Sequence, residues 1–113
     1  MIESFCFGTL VIDGKTYTSD LIIYPDGRIV DAWWRKSGHL LTIEDIDELI
    51  QSQPDVIVAG TGVHGYMKPD DHLNRLLNRK KITFIADKNE LAIKQYNSLS
   101  QNKRVGACFH LTC

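Results

Sequence analysis

The hydrophobic positions of this chain change period near residue 40, dividing it into a strand-rich opening and an alternating remainder. Phe5, Phe7, Thr9 and Val11 alternate with Cys6, Gly8, Leu10 and Ile12, the period of two that belongs to an extended strand. Asp13-Gly14 then reads as a hairpin turn, because glycine accepts the positive φ that such turns require. A short strand over Lys15 to Thr18 returns, and Leu21 to Tyr24 forms another. Pro25-Asp26-Gly27 supplies the next corner, and Arg28 to Trp34 completes a meander.

From Thr42 the period becomes helical. Ile43, Ile46, Leu49 and Ile50 share one face, with Glu44, Asp47, Glu48 and Gln51 on the other. Thr42 and Asp45 occupy the reciprocal positions of a capping box, and Pro54 prevents continuation. Asp55 to Ala59 is a short apolar run ending in glycine, as expected of a strand buried on both faces. Pro69 suits the first turn of the next helix, with Asp70 and Asp71 at its positive end and Leu73, Leu76 and Leu77 as its apolar stripe. Ile82 to Ala86 is a strand, and Asp87 with Glu90 forms a second capping pair. Leu91, Ala92, Gln95, Tyr96 and Leu99 line one side of the helix that follows, and Val105 to Phe109 is the final strand. Strand, helix, strand, helix, strand after residue 55 implies right-handed crossovers. The expected fold is a single α/β domain over residues 1–113. It has three layers, with a mixed, mostly parallel central sheet, an N-terminal β-meander and flanking helices.

Composition narrows the function classes. At 113 residues and 43% hydrophobic, the chain supports one core and has no room for a second. A formal net charge of −1 offers no overall attraction to phosphate backbones, so no nucleic-acid partner is expected. The one dense basic run, Arg79-Lys80-Lys81, ends a helix, where cations suit the negative pole. No apolar stretch approaches the ~20 residues needed to cross a bilayer, so no membrane partner is expected either. The start of the chain lacks a signal-peptide pattern, and Cys6, Cys108 and Cys113 are an odd set for disulfides. A cytoplasmic location follows as an expectation.

The most informative chemistry lies in Gly60-Thr61-Gly62-Val63-His64-Gly65, which follows a buried strand with the spacing G-x-G-x-x-G. Glycines at a sheet's rim free backbone amides to meet an anion. The context argues against a dinucleotide, because Met67-Lys68-Pro69 delays a helix that should begin near the second glycine. No cofactor is therefore expected. The segment stands either as a tight turn or as an open cradle of donors for a small anionic ligand, with Gly60, Thr61, Gly62, His64 and Gly65 as candidates. Trp33-Trp34-Arg35-Lys36 is a second feature. Alternation sends the two indoles to opposite faces, and an exposed indole beside Arg35 suits contact with a protein partner. Cys108, His110 and Cys113 lack the second ligand pair of a zinc site; His110 shares a strand face with Cys108, but a buried cysteine is commonly inert, so no metal ligand or catalytic residue is assigned.

Several segments together carry a family resemblance. They are Ser4-Phe5-Cys6-Phe7-Gly8, Asp13-Gly14-Lys15-Thr16-Tyr17, Asp20-Leu21-Ile22-Ile23, Trp33-Trp34-Arg35, Gly38-His39, Gly60-Thr61-Gly62 and His110-Leu111-Thr112-Cys113. The set resembles a small α/β domain-of-unknown-function family of archaea and bacteria. That family is also similar to the adipogenesis-associated domain protein and to a mitochondrial respiratory complex I assembly factor. The resemblance implies a three-layer fold, no established enzymatic activity, and a pocket near Gly60, Thr61 and Gly62 with Arg35, His39 and His110 as neighbours. The expected role is a non-catalytic binding or assembly-type module acting through protein contact. The alternative is a small-molecule or anion-binding protein, with or without catalysis, at Gly60 to Gly65.

Overall fold

The opening alternation does not run as one strand. In the computed structural model, which describes residues 1–113, it breaks at Phe7-Gly8, where Gly8 takes φ +82°. The halves, β1 (Ile2–Cys6) and β2 (Thr9–Ile12), pair antiparallel. A two-residue turn preserves the phase of an alternating pattern, so the pattern alone does not reveal it. Asp13 and Gly14 form the expected turn, both at positive φ, into β3 (Lys15–Tyr17). Next come β4 (Leu21–Ile23) and a β5 confined to Ile29–Val30. The strand expected to reach Trp34 stops there because Ala32 adopts φ +52°.

The remainder runs β6 (Leu40–Leu41), a 3₁₀ turn over Glu44–Ile46, α1 (Asp47–Gln51), β7 (Val56–Gly60) and β8 (Lys68–Pro69). It continues with α2 (Asp71–Arg79), β9 (Thr83–Asp87), α3 (Asn89–Leu99) and β10 (Val105–Phe109). Three local expectations are corrected. Pro69 lies outside the helix and pairs with Leu41 in the short parallel β6–β8 ladder, where a residue without an N–H is tolerated at an edge. Asp87 ends β9 and accepts the Lys88 N–H at 2.9 Å, so α3 starts one residue later than a capping pair would set it. The buried face of α3 is Asn89, Ala92 and Ile93, supported by Tyr96 and Leu99, whereas Leu91 is exposed. Of the Thr42 box only the returning half forms, with Asp45 Oδ2 accepting the Thr42 N–H and hydroxyl at 2.9 Å each.

The central sheet has the order β5-β4-β10-β7-β9. β10, β7 and β9 are parallel, while β4 is antiparallel to both β10 and β5, so β4 alone opposes the other four strands. Alternation within β7 and β10 builds the layers. Val56, Val58, Val105, Ala107 and Phe109 face a cluster shared with β1, β2 and α3. Ile57, Ala59 and Cys108 face the other, with Leu49 and Ile50 of α1 and Leu73 and Leu77 of α2. β1–β3 form their own sheet over the first cluster.

Candidate functional site

Beyond β10 the chain crosses the rim where β7 and β10 end, and it hydrogen-bonds to several of the segments there. His110 N–H donates to the Gly60 carbonyl at 2.9 Å, and the His110 carbonyl accepts Asn89 Nδ2 at 2.7 Å. The Leu111 carbonyl accepts the Gly8 N–H at 2.8 Å, and the Leu111 N–H donates to Asp20 Oδ1 at 2.8 Å. The carbonyls of Thr112 and Cys113 accept the N–H groups of Val63 at 2.7 Å and Tyr66 at 2.9 Å. Residues 110–113 thus join the β1–β2 turn, the start of β4, the glycine turn and the head of α3.

Against this seam lies a buried charge network. Asp20 Oδ2 lies 2.8 Å from Arg35 Nη1 and 2.8 Å from His110 Nδ1, and Arg35 Nη2 donates to the Gly38 carbonyl at 3.0 Å. Arg35 Nη2 also lies 3.0 Å from His110 Nδ1. One ring nitrogen cannot donate to Asp20 and accept from Arg35 at once, and the carboxylate is the stronger acceptor. We therefore assign the proton to Nδ1, leaving Nε2 to face the Thr112 hydroxyl at 3.4 Å. Burial alone would raise the Asp20 carboxyl, but hydrogen bonds from His110, the Leu111 N–H and Arg35 outweigh it and hold the group below its ordinary value. The Arg35 guanidinium stacks over the Trp33 ring at 4.7 Å, and its Nε–H alone has no acceptor. His39 packs edge-on to His110 at 6.1 Å and to Tyr66 at 5.9 Å, and Tyr66 lies 5.9 Å from His64.

Arg35 is therefore not a surface contact. It is 8% exposed, because its charge is committed to Asp20. The exposed indole of the cluster is Trp34, 79% accessible, while half-buried Trp33 donates Nε1 to the Asp45 carbonyl at 2.9 Å. The indoles do part company, although on a loop rather than a strand.

The glycine turn is not an open cradle. Thr61 N–H donates to the Asp87 carbonyl, Gly62 N–H to Asn89 Oδ1, and Met67 N–H to the Thr61 carbonyl; Val63 and Tyr66 are spent on the C-terminal segment. The physical reason is crowding, since β9, α3 and residues 112–113 all present acceptors here. Gly62 sits at φ +110°, and a Cβ there would collide with the Cys113 backbone, so this glycine serves close chain approach. Only the amides of His64 and Gly65 remain without an intramolecular bond. With Thr61, Lys68, Asp87 and Lys88, these two residues line a cleft of about 280 Å³. The candidates thus divide. Arg35, His39 and His110 converge on the buried network, Thr61, His64 and Gly65 on the cleft, and Gly60 and Gly62 serve packing.

Two residues escaped sequence reasoning as site members. Asp20, singled out only within a segment that carries the family resemblance, anchors the network, and Asn89, almost fully buried, bridges Gly62 and His110. Neither has a spacing signal, because each partner lies 15 to 91 residues away. Burial drives the Cys108 thiol up to about 12, with Arg35 opposing and Asp45 and Asp20 adding, so it stays protonated and non-nucleophilic at neutral pH. No three His, Cys, Asp or Glu side chains converge as metal ligands, and no helix is long and apolar enough to cross a membrane.

A family profile described as "Protein of unknown function (DUF498/DUF598)" matches residues 2–110. Among solved structures, the conserved hypothetical protein PH1505 from Pyrococcus horikoshii OT3 superposes with a TM-score of 0.84 at 30% identity, covering 100% of this chain and 99% of its own. A protein designated MT938 gives 0.82 at 29% identity, over 100% and 98% of the two chains. An outer membrane protein from Bartonella henselae gives 0.79 at 23% identity, over 99% and 94%, a likeness of fold alone.

Proposed function

Because the chain belongs to the DUF498/DUF598 family of proteins of unknown function, we propose its role from its own surface: a non-catalytic binding or assembly-type module that meets a protein partner at the Trp34 rim. The observation that carries this reading is the 79% exposed indole of Trp34, set between half-buried Trp33 and the Asp20–Arg35–His110 network. Leaving a large apolar side chain in water forgoes roughly 1.5–3 kcal/mol of burial. A loose loop would fold the indole down; here both neighbours are tied in place, and the ring stands out. Phe7 and Tyr66, 58% and 56% exposed, sit on loops bonded to the same C-terminal segment. Trp and Tyr are the side chains that most often anchor protein interfaces, supplying large contact area at low entropic cost. The partner is a protein that offers an apolar pocket to the indole. We place the encounter in the cytoplasm, in keeping with three cysteines that form no disulfide.

The test compares immobilised wild-type protein with Trp34→Ala in cell extract, identifies proteins retained by the first and lost from the second, and rebinds each in purified form. The expected result is one partner whose affinity falls about 30-fold or more in the variant, the behaviour of an interface anchor. Identical retention by both proteins would overturn the proposal. Sedimentation of the purified protein distinguishes a second copy of this chain as the occupant, which would also count against a separate partner.

A further inference from the structure

We infer that the cleft beside the glycine turn is a separate binding site for the phosphoryl group of a small molecule. It shares no lining residue with the Trp34 loop and does not depend on the protein-contact reading. The first observation is Thr61. This residue is 6% exposed and lines the cleft, and its hydroxyl is open to solvent with no partner in the protein. A hydroxyl left free on a side chain that is otherwise packed is a donor and acceptor open to an external partner at the cleft wall. The second is that His64 and Gly65, whose amides are uncommitted, line the same cleft. The third is charge. Lys68 and Lys88 line the cleft, and neither forms an ion pair. The Lys88 side chain lies across Gly65, its Cγ 3.2 Å and Cε 3.6 Å from where a glycine Cβ would stand.

Asp87 is the one acid on the wall, and its Oδ1 is occupied by the Lys88 N–H. Lys88 is also the N-cap of the eleven-residue α3, whose positive pole adds to the same field. A hydroxyl, two amides and two ammonium groups offer more donors than a carboxylate can use, whereas a phosphoryl group has three oxygens to satisfy. The volume of about 280 Å³ lies at the small end of ligand clefts, suiting a phosphoryl group with a few attached atoms rather than a nucleotide.

The experiment titrates ¹⁵N-labelled protein with inorganic phosphate at constant ionic strength, with acetate and chloride as parallel arms. Saturable shifts of the Thr61, His64, Gly65 and Lys88 amides are expected with phosphate, with at least tenfold weaker response to acetate and none to chloride. Thr61→Val, which keeps shape and removes the hydroxyl, should weaken phosphate about tenfold. The double variant Lys68→Gln/Lys88→Gln changes only exposed side chains, so it keeps the fold and should abolish saturation. Shifts that never saturate, that centre elsewhere, or that survive the double variant would overturn the site. Equal saturation by acetate would overturn the phosphoryl assignment.

Discussion

At the scale of single residues, the buried network makes the most specific statements. Asp20 has its carboxyl held below the ordinary value, so its contribution to stability is complete above the unfolded value of roughly 4 and is lost as pH falls through the folded one. Asp20→Asn should therefore lower stability at pH 7 by about 3–5 kcal/mol, because Arg35 is left buried without its counter-charge. The gap between the two proteins should narrow on acidification below about pH 4. Urea unfolding of both across pH 2–8 reads this directly, and parallel curves would show that Asp20 is not the linked group. Cys108 gives a chemical counterpart. A thiol-specific reagent at pH 7 should label exposed Cys6 in the folded protein and reach Cys108 only after unfolding. Mass spectrometry of the labelled peptides decides it. Asn89→Ala leaves the Gly62 N–H and the His110 carbonyl without their buried partner, at roughly 1–3 kcal/mol for each. Faster hydrogen exchange at Gly62 should accompany that loss.

At the scale of elements, what the sequence made legible depended on how local the controlling contacts were. β7 and β10 were plain, because an apolar run bounded by glycine or charge describes a strand buried on both faces. The β1–β2 turn was hidden because two residues leave an alternating pattern in phase. In α3 the face was misjudged at Leu91, since Leu91 and Ile93 both compete for an apolar stripe and tertiary packing chose Ile93. The glycine turn was located correctly, but its donors were not seen to be spent. Their acceptors belong to Asp87, Asn89 and Thr112, and no spacing rule brings residue 112 beside residue 63. The same holds for the site as a whole. Arg35, His39 and His110 were legible as polar residues of unusual context, whereas the carboxylate that joins Arg35 and His110 was not.

At the scale of the whole molecule, three layers followed from the strand–helix alternation, but the strand order did not. Neighbour choice in a sheet is set by register and by packing on both faces. Here the N-terminal meander divides, with β1–β3 covering one face and β4–β5 extending the central sheet. The middle position is taken by β10, the last strand in the chain, which joins antiparallel β4 on one side to parallel β7 on the other. During synthesis, then, the keystone arrives last. A ribosome that has made residues 1–104 has made the strands on both sides of the gap but not the one that joins them, and unpaired edges of this kind invite pairing with other chains. A chain truncated after Arg104 should show neither the cooperative unfolding transition nor the solubility of residues 1–113, as circular dichroism and sedimentation would record. Adding a peptide of residues 105–113 in trans should restore part of both. The central sheet is thereby expected to close only once its final strand is available, leaving a nascent-chain chaperone the interval before it.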